Sequence, residues 1–479
     1  MPLKNIVVLA ICTIVSLTCY FAAAKNRFAN LFAEVVELVQ HEHLASPVSR
    51  SLFDSAMSGM LTNLDIHSVY LAGDSYKMFD ENIEQVFGGV GMYVDEDEVS
   101  GFLRITAPMP ATPSFEAGLR SNDLVTAIDG KTTLGKTRRE CIELMRGPIE
   151  NQVRLDIRRA DKDFSVDLTR RLIPVTSVFG DTTNPDGTRN FYMQEYPRIG
   201  YLRMDQFGQR TTSEMSAALK SISGKTDSLI LDLRNNGGGP LNSAVEICDM
   251  FLEGGLTIVE TRGRNKKLID SYVSSSGMEI PSNMPLVILV NRNSASASEI
   301  VAACLQDHHR AIVIGEQTYG KGTVQNVFVL ERKRSAVKLT VASYWPPGGR
   351  CIDKNDPVAK STRAWGVLPG PGFEVESSED DIVANYIDRQ MREIAGLVGA
   401  EAAAEMLDGA SDAVPPPDSS GLPKILPDEL KTDSAEDTVA QGAPKIPVPD
   451  KPLLRAIEYL RSRKSQGDDA DKPVIATTS

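Results

Sequence analysis

Between Ile199 and Ile314 short apolar runs alternate with segments of helical period, and this limits the fold more than any other feature of the chain. Ser228 to Leu233, Leu286 to Val290 and Ala311 to Ile314 read as strands, and Leu241 to Leu252 and Ser296 to Leu305 as helices. A strand apolar on both faces needs cover above and below. The pattern therefore predicts a mostly parallel sheet buried between helices, the core of a multidomain α/β protein. Lys338 to Tyr344 adds a further strand.

The flanking segments have other textures. From Phe28 to Gln85 apolar residues recur at three and four, as in Leu31, Val35, Leu38 and Val39 and then Leu52, Met57, Met60 and Leu61, which predicts amphipathic helices. Phe87 to Val94 and Gly101 to Ile105 punctuate like short strands with turns, and Ala117 to Gly130 reads as turn, strand and tight Asp-Gly turn. A helix from about Thr137 to Met145 and a strictly alternating strand, Val153 to Arg159, complete a block that closes near Arg171. Beyond Ser377 a helical piece, Asp381 to Leu407, leads into Pro415-Pro416-Pro417 and a Pro, Asp and Ser-rich stretch, which reads as a disordered linker. A short amphipathic helix, Pro452 to Arg463, interrupts the polar tail. The expected divisions are 1–25, 26–84, 85–171, 172–377, 378–450 and 451–479.

Met1 to Asn5, an apolar run from Ile6 to Ala24, and Lys25-Asn26-Arg27 form an export signal. Ala22-Ala23-Ala24 offers a cleavage site, yet the run also has the length of an uncleaved anchor. At 479 residues the chain has room for two to four domains, and its net charge of -13 argues against nucleic acid as a partner. Cys12 and Cys19 lie in the leader; Cys141, Cys248, Cys304 and Cys351 are widely spaced. No metal site is expected, and one disulfide bridge at most.

The segment Leu286 to Ile300 places small hydroxyl residues at a strand-to-helix junction, where unsatisfied backbone N–H groups could hold an oxyanion. Ser296 is the candidate nucleophile, although Ser296-x-x-Glu299 is also a capping box that would simply start the helix. Downstream, Lys321 stands between Gly320 and Gly322; a buried lysine with a lowered pKa can act as a general base without histidine. The plainer alternative is a solvated loop lysine. Gly315-x-x-x-x-Gly320-Lys321 also imitates a phosphate-binding loop, with Leu229 to Asp232 as an acidic strand. Gly322 replaces the expected hydroxyl residue, however, and the acidic strand precedes the loop. Leu231 to Pro240 ends a strand in Gly237-Gly238-Gly239, which presents only backbone, and could set the Gly239 amide beside that of Ala297. Of five histidines, His41, His43 and His67 lie in the helical N-terminal region. His308 and His309 end the Ser296 helix, about 18 Å along the axis from the serine.

Together these motifs resemble those of the carboxyl-terminal processing, or tail-specific, proteases. Ser294 to Glu299 is similar to the family's nucleophile segment, Thr318 to Gln325 to its lysine segment, and Asp232 to Gly239 to its oxyanion loop. The likeness spans about Phe28 to Glu376 and includes Leu64 to Leu71 and Lys338 to Tyr344. It implies a βα-alternating protease core of crotonase-like type, with residues 85–171 as a PDZ-like β-rich domain. The function it implies is a serine endopeptidase with a Ser296/Lys321 dyad, Gln325 beside the lysine, Gly239 and Ala297 as oxyanion donors, and an acyl-enzyme intermediate. Gly89, Val90, Gly91 and Met92 would take a substrate's terminal carboxylate, and Arg146 is similar in context to an arginine of the family's PDZ segment. No cofactor is implied. The partners are proteins with unstructured C-terminal tails, the location the periplasm or cell envelope, with an N-terminal anchor and a homo-oligomer as further options. One expectation concerns geometry. In a regular strand Lys321 and Gln325 would stand about 13 Å apart, so the chain must bend near Gly320 or Gly322. The sequence also departs from the family at Pro108 to Phe115, at Ser121-Asn122-Asp123 where Gly-Asp is typical, at Gly370 and in the Pro-rich insertion. A non-catalytic PDZ scaffold and a P-loop-like NTPase are the competing readings.

Overall fold

The apolar runs form a parallel sheet. Ile199–Met204, Ser228–Asp232, Leu286–Val290 and Ile312–Gly315 lie side by side in that order, with Val178–Phe179 antiparallel at the edge. This computed structural model describes residues 3–23, 27–45, 47–97, 99–184, 186–275, 277–398 and 449–470. Period-two alternation sorts the strand residues between two apolar layers. Leu202, Leu231, Ile288 and Val290 pack with Met215, Leu219, Ile247, Ile300 and Cys304 of the helices Thr211–Ile222, Leu241–Asp249 and Ala297–Asp307. Tyr201, Ile230, Val287, Leu289 and Ile314 face the opposite way, onto Leu453, Ala456, Ile457 and Leu460 of Lys451–Ala470. That terminal helix thus covers the second face of the sheet, after a stretch, 399–448, that includes the expected linker and lies outside the described residues.

Asp450 fixes this helix to the core. Its carboxylate accepts the Leu453 N–H and a bidentate pair from Arg234 at 2.7 and 3.0 Å. Arg234 in turn binds Asp232, which accepts the Tyr201 hydroxyl at 2.7 Å. Burial alone would raise the Asp232 pKa, but Arg234 and these hydrogen bonds hold it below the usual carboxylate range.

A second sheet differs from the expectation. Thr257–Arg262 and Leu268–Val273 form an antiparallel pair, and Thr257–Arg262 also pairs with Ser335–Trp345 through Thr261↔Tyr344. The helix expected to run to Leu252 stops at Asp249, and the one starting near Asp381 is described over Glu379–Val398.

The PDZ-like block contains a sheet ordered Met92–Glu96, Leu103–Pro108, Leu124–Ile128, Gln152–Arg159, Lys162–Thr169, with Lys131–Thr132 beside Leu124–Ile128. Val86–Gly89 pairs separately with Arg171–Pro174. The alternation Val153, Leu155, Ile157 points into the core against Cys141 and Met145. Helix Arg138–Met145 is started by a capping box in which Thr137 and Glu140 satisfy each other's backbone. At the departure from Gly-Asp, Asn122 holds φ at +66, a left-handed conformation asparagine tolerates, and Asp123 is buried against Arg159 at 2.6 Å.

By contacts the chain divides into 1–76 with 326–340 and 77–325 with 341–479. The first unit contains helices Leu3–Ala23, Arg27–Glu42 and Ser49–Thr62 and a strand, Val69–Ala72, antiparallel to Ser335 to Lys338. Asp65 ties its turn together, accepting from Ser68, His67 and Thr340. Among the described residues no helix is long and apolar enough to cross a membrane.

Candidate active site

Three serines stand at the head of helix Ala297–Asp307, and hydrogen bonding separates them. Ser294 Oγ donates to the Leu233 carbonyl at 2.8 Å and Ser298 Oγ to the Asn236 carbonyl at 2.9 Å. These bonds stitch the turn to the glycine loop and engage both hydroxyls in structure. Ser296 lies between them in a conformation L-residues rarely adopt, φ +57 and ψ -114. Such backbone strain costs about 1–3 kcal/mol and persists where surrounding structure imposes it.

Glu299 supplies much of that structure. It is fully buried, and Oε2 accepts the N–H of Ser296 and of Lys321, each at 2.8 Å. Oε1 accepts the Gly320 N–H at 2.7 Å and the Thr318 hydroxyl at 2.5 Å. Burial raises the Glu299 pKa, and these four donors pull it back. A residue expected only to begin a helix therefore joins the serine turn to the lysine loop. The signal is present in the sequence as the capping box, but three of the four donors come from a segment nineteen or more positions away. Tyr319 N–H adds a bond to the Ser294 carbonyl at 3.0 Å.

Lys321 is 7% exposed and Ser296 5%. The lysine is no solvated loop residue. Gly320 has φ +85, and the following strand, Thr323–Leu330, starts beyond Gly322. Gln325 Nε2 donates to Thr323 Oγ1 at 2.8 Å. A strand, not a helix, follows the Gly-Lys pair, which removes the helix N-terminus that a phosphate-binding loop requires and with it the NTPase alternative.

The glycine loop approaches the serine closely. A Cβ on Gly238, whose φ is +97, would stand 2.8 Å from Ser296 Cβ and 2.9 Å from Ala297 N. The Gly238 N–H is engaged by Asn236 Oδ1 at 2.9 Å. Among the described residues the N–H groups of Gly239 and Ala297 have no hydrogen-bond partner, as an oxyanion hole demands of its donors. His308 is far from this site and caps the other end of the helix, with a ring nitrogen 2.7 Å from the Thr257 carbonyl.

In the PDZ-like block the Gly89 to Met92 turn has its carbonyls engaged. Val90 accepts the Ser114 N–H at 3.0 Å, and Gly91, at φ +76, accepts the Thr112 hydroxyl at 2.8 Å. The Val90 and Gly91 N–H groups have no partner among the described residues. Arg146 lies 4.5 Å over the Phe87 ring and 3.5 Å from Glu81.

A site with a strained serine, a buried lysine and a glycine loop on an α/β core, next to a PDZ-like sheet, defines a class of peptidase, and comparison with known proteins agrees. The model of peptidase family S41 matches residues 198–360 and that of a PDZ domain residues 104–159. The carboxy-terminal-processing protease of Bartonella bacilliformis is 37% identical over 337 residues, covering 68% of this chain and 74% of the relative. The carboxy-terminal processing protease CtpA of Bacillus subtilis is 31% identical over 321 residues, 66% of this chain and 65% of the relative. A solved structure of the photosystem II D1 C-terminal processing protease matches at 26% identity with a TM-score of 0.40, over 76% of this chain and 90% of that one. The chain belongs to the carboxy-terminal-processing protease family. It is a serine-type peptidase that acts on protein substrates, which sets aside the non-catalytic scaffold.

Proposed function

We propose that Ser296 is the nucleophile and Lys321 its general base. Neutral Lys321 takes the Oγ proton as Oγ bonds to the scissile carbonyl carbon, and the amides of Gly239 and Ala297 hold the resulting oxyanion. The C–N bond then breaks, and the leaving amine takes the proton from Lys321. Water adds to the acyl ester with its proton passing to Lys321, which returns it to Ser296 as the new C-terminal acid departs. Gln325 orients the lysine amine. The observation that carries this reading is the Glu299 carboxylate, which binds the backbone of nucleophile and base through the same oxygen.

A fluorophosphonate is expected to modify Ser296, located by peptide mass spectrometry. Lys321→Ala should slow that modification by about 10²-fold or more, the usual share of a general base. An adduct on another serine, or an unchanged rate in the variant, would remove the dyad.

The Gly89 to Met92 loop, with its two free amides, takes the substrate's terminal carboxylate in this reading, as backbone nests do, with Arg146 at its side. A free carboxylate then matters: amidating a substrate's C-terminus should raise KM, and an equal KM argues against the tether. The leader exports the chain to the periplasm or cell envelope, either cleaved after Ala24 or kept as an anchor, which the mass of the mature protein distinguishes. A homo-oligomer is compatible with the exposed apolar face of Arg27–Glu42, which includes Phe28, Leu31 and Val35, and sedimentation measures it.

A further inference from the structure

Asn236 lies at the start of the glycine loop and is fully buried, with its N–H, its carbonyl and both ends of its amide engaged. The side chain reaches in two directions. Nδ2 donates at 2.8 Å to the carbonyl of Met204, the last residue of strand Ile199–Met204, and Oδ1 accepts the Gly238 N–H at 2.9 Å. The main-chain carbonyl accepts the Ala295 N–H at 3.0 Å and the Ser298 hydroxyl at 2.9 Å. Those two donors flank Ser296. One residue is thus bonded to the sheet, to the loop that carries Gly239 and to both sides of the nucleophile.

The two amides of the oxyanion hole come from different segments, Gly239 from the loop and Ala297 from the serine turn. Their spacing matters, because each donor must stand about 2.7–3.1 Å from the oxygen that gains charge. The bonds from residues 295 and 298 set the serine turn against the loop, and a Cβ on Gly238 would already lie 2.9 Å from Ala297 N. The Asn236 side chain sets the loop itself. Gly238, at φ +97, has no side chain to restrict it, so only the bond to Oδ1 fixes the direction of its N–H and of the peptide that follows. We infer that Asn236 is the positioning residue of the oxyanion hole: it withdraws the Gly238 N–H, leaves the Gly239 N–H free, and holds that donor in register with Ala297. A carboxamide suits the place because the Met204 carbonyl can only accept and the Gly238 N–H can only donate, and one short side chain must meet both.

This inference rests on Ser296 as nucleophile with Gly239 and Ala297 as oxyanion donors, and the experiment keeps the two apart. Wild type, Ser296→Ala, Asn236→Ala and Asn236→Asp are compared for kcat and KM on an unstructured protein tail, for inhibition by a peptide aldehyde and for urea midpoint. The aldehyde adduct places an oxyanion in the hole, whereas bound substrate does not. Asn236→Ala is expected to lower kcat by about 10- to 100-fold and to weaken the aldehyde by a similar factor, with KM within about twofold. Asn236→Asp keeps an acceptor for Gly238 but turns an oxygen toward the Met204 carbonyl. It should therefore retain more kcat than Asn236→Ala while having the lower urea midpoint, an order that a purely structural role would not give. If one variant fails to fold, the parallel between kcat and aldehyde affinity in the other decides. A wild-type kcat in Asn236→Ala, a loss carried by KM, an unchanged aldehyde affinity, a kcat order that follows the midpoints, or failure of both variants to fold overturns the role of Asn236. If Ser296→Ala is inactive while Asn236→Ala turns over like wild type, only this inference fails. If Ser296→Ala retains turnover, the nucleophile assignment fails with it.

Discussion

Ser296→Ala is expected to lower turnover of an unstructured protein tail by about 10⁴- to 10⁶-fold, the range seen when a serine nucleophile is removed. No neighbour can replace it. Ser294 and Ser298 are committed to the carbonyls of Leu233 and Asn236, and turning either hydroxyl toward substrate would break the bond that stitches the serine turn to the glycine loop. The fold should survive, because alanine accepts the φ of +57 no less readily than serine and Glu299 still receives the residue 296 N–H. Progress curves and a urea midpoint measured on one preparation check both halves. Turnover within tenfold of wild type in folded Ser296→Ala would place the chemistry elsewhere.

The sheet was the most legible part of the chain because a strand buried on both faces has no polar residue to confuse its period. Leu286 to Val290 is apolar throughout and was read at its observed bounds. The second sheet was hidden for the opposite reason. Leu268–Val273 is exposed along nearly its whole length and carries Asp270 and Ser271, so nothing in its composition separates it from a loop. Its partner Thr257–Arg262 is held from the other side by the distant strand Ser335–Trp345, which local pattern does not encode.

The candidate site shows the same division. Ser296, Lys321 and the glycine triplet are visible as motifs because helix starts, flanking glycines and backbone-only loops leave local marks. Glu299 looks like half of a cap, since only one of its four donors lies in its own segment and those of Thr318, Gly320 and Lys321 meet it through the fold.

Glu299→Gln should be the most damaging isosteric change outside the reacting pair. Each carboxylate oxygen accepts two donors, one set from Ser296 and Lys321 and the other from Gly320 and Thr318. Glutamine has a single oxygen, so its NH₂ must face one set whichever way the amide turns. Against Ser296 and Lys321 it confronts two backbone donors that cannot reverse, and the two loops part. Against the other set, Thr318 can rotate its hydroxyl to accept, since Oγ1 already takes the Val367 N–H at 2.7 Å and has a second lone pair. Gly320 N–H then remains buried and unpaired, at a cost of about 1–3 kcal/mol. The second arrangement is the cheaper one, and it still shifts the loop that positions Lys321. The expected result is therefore a lowered urea midpoint with an unchanged m-value, together with a kcat reduced by about 10²-fold or more, since small misplacement of a reacting group costs that much. Glu299→Ala should destabilise further, because all four donors lose their acceptor. A folded Glu299→Gln protein with wild-type kcat would show that the carboxylate stabilises the core without aligning the dyad.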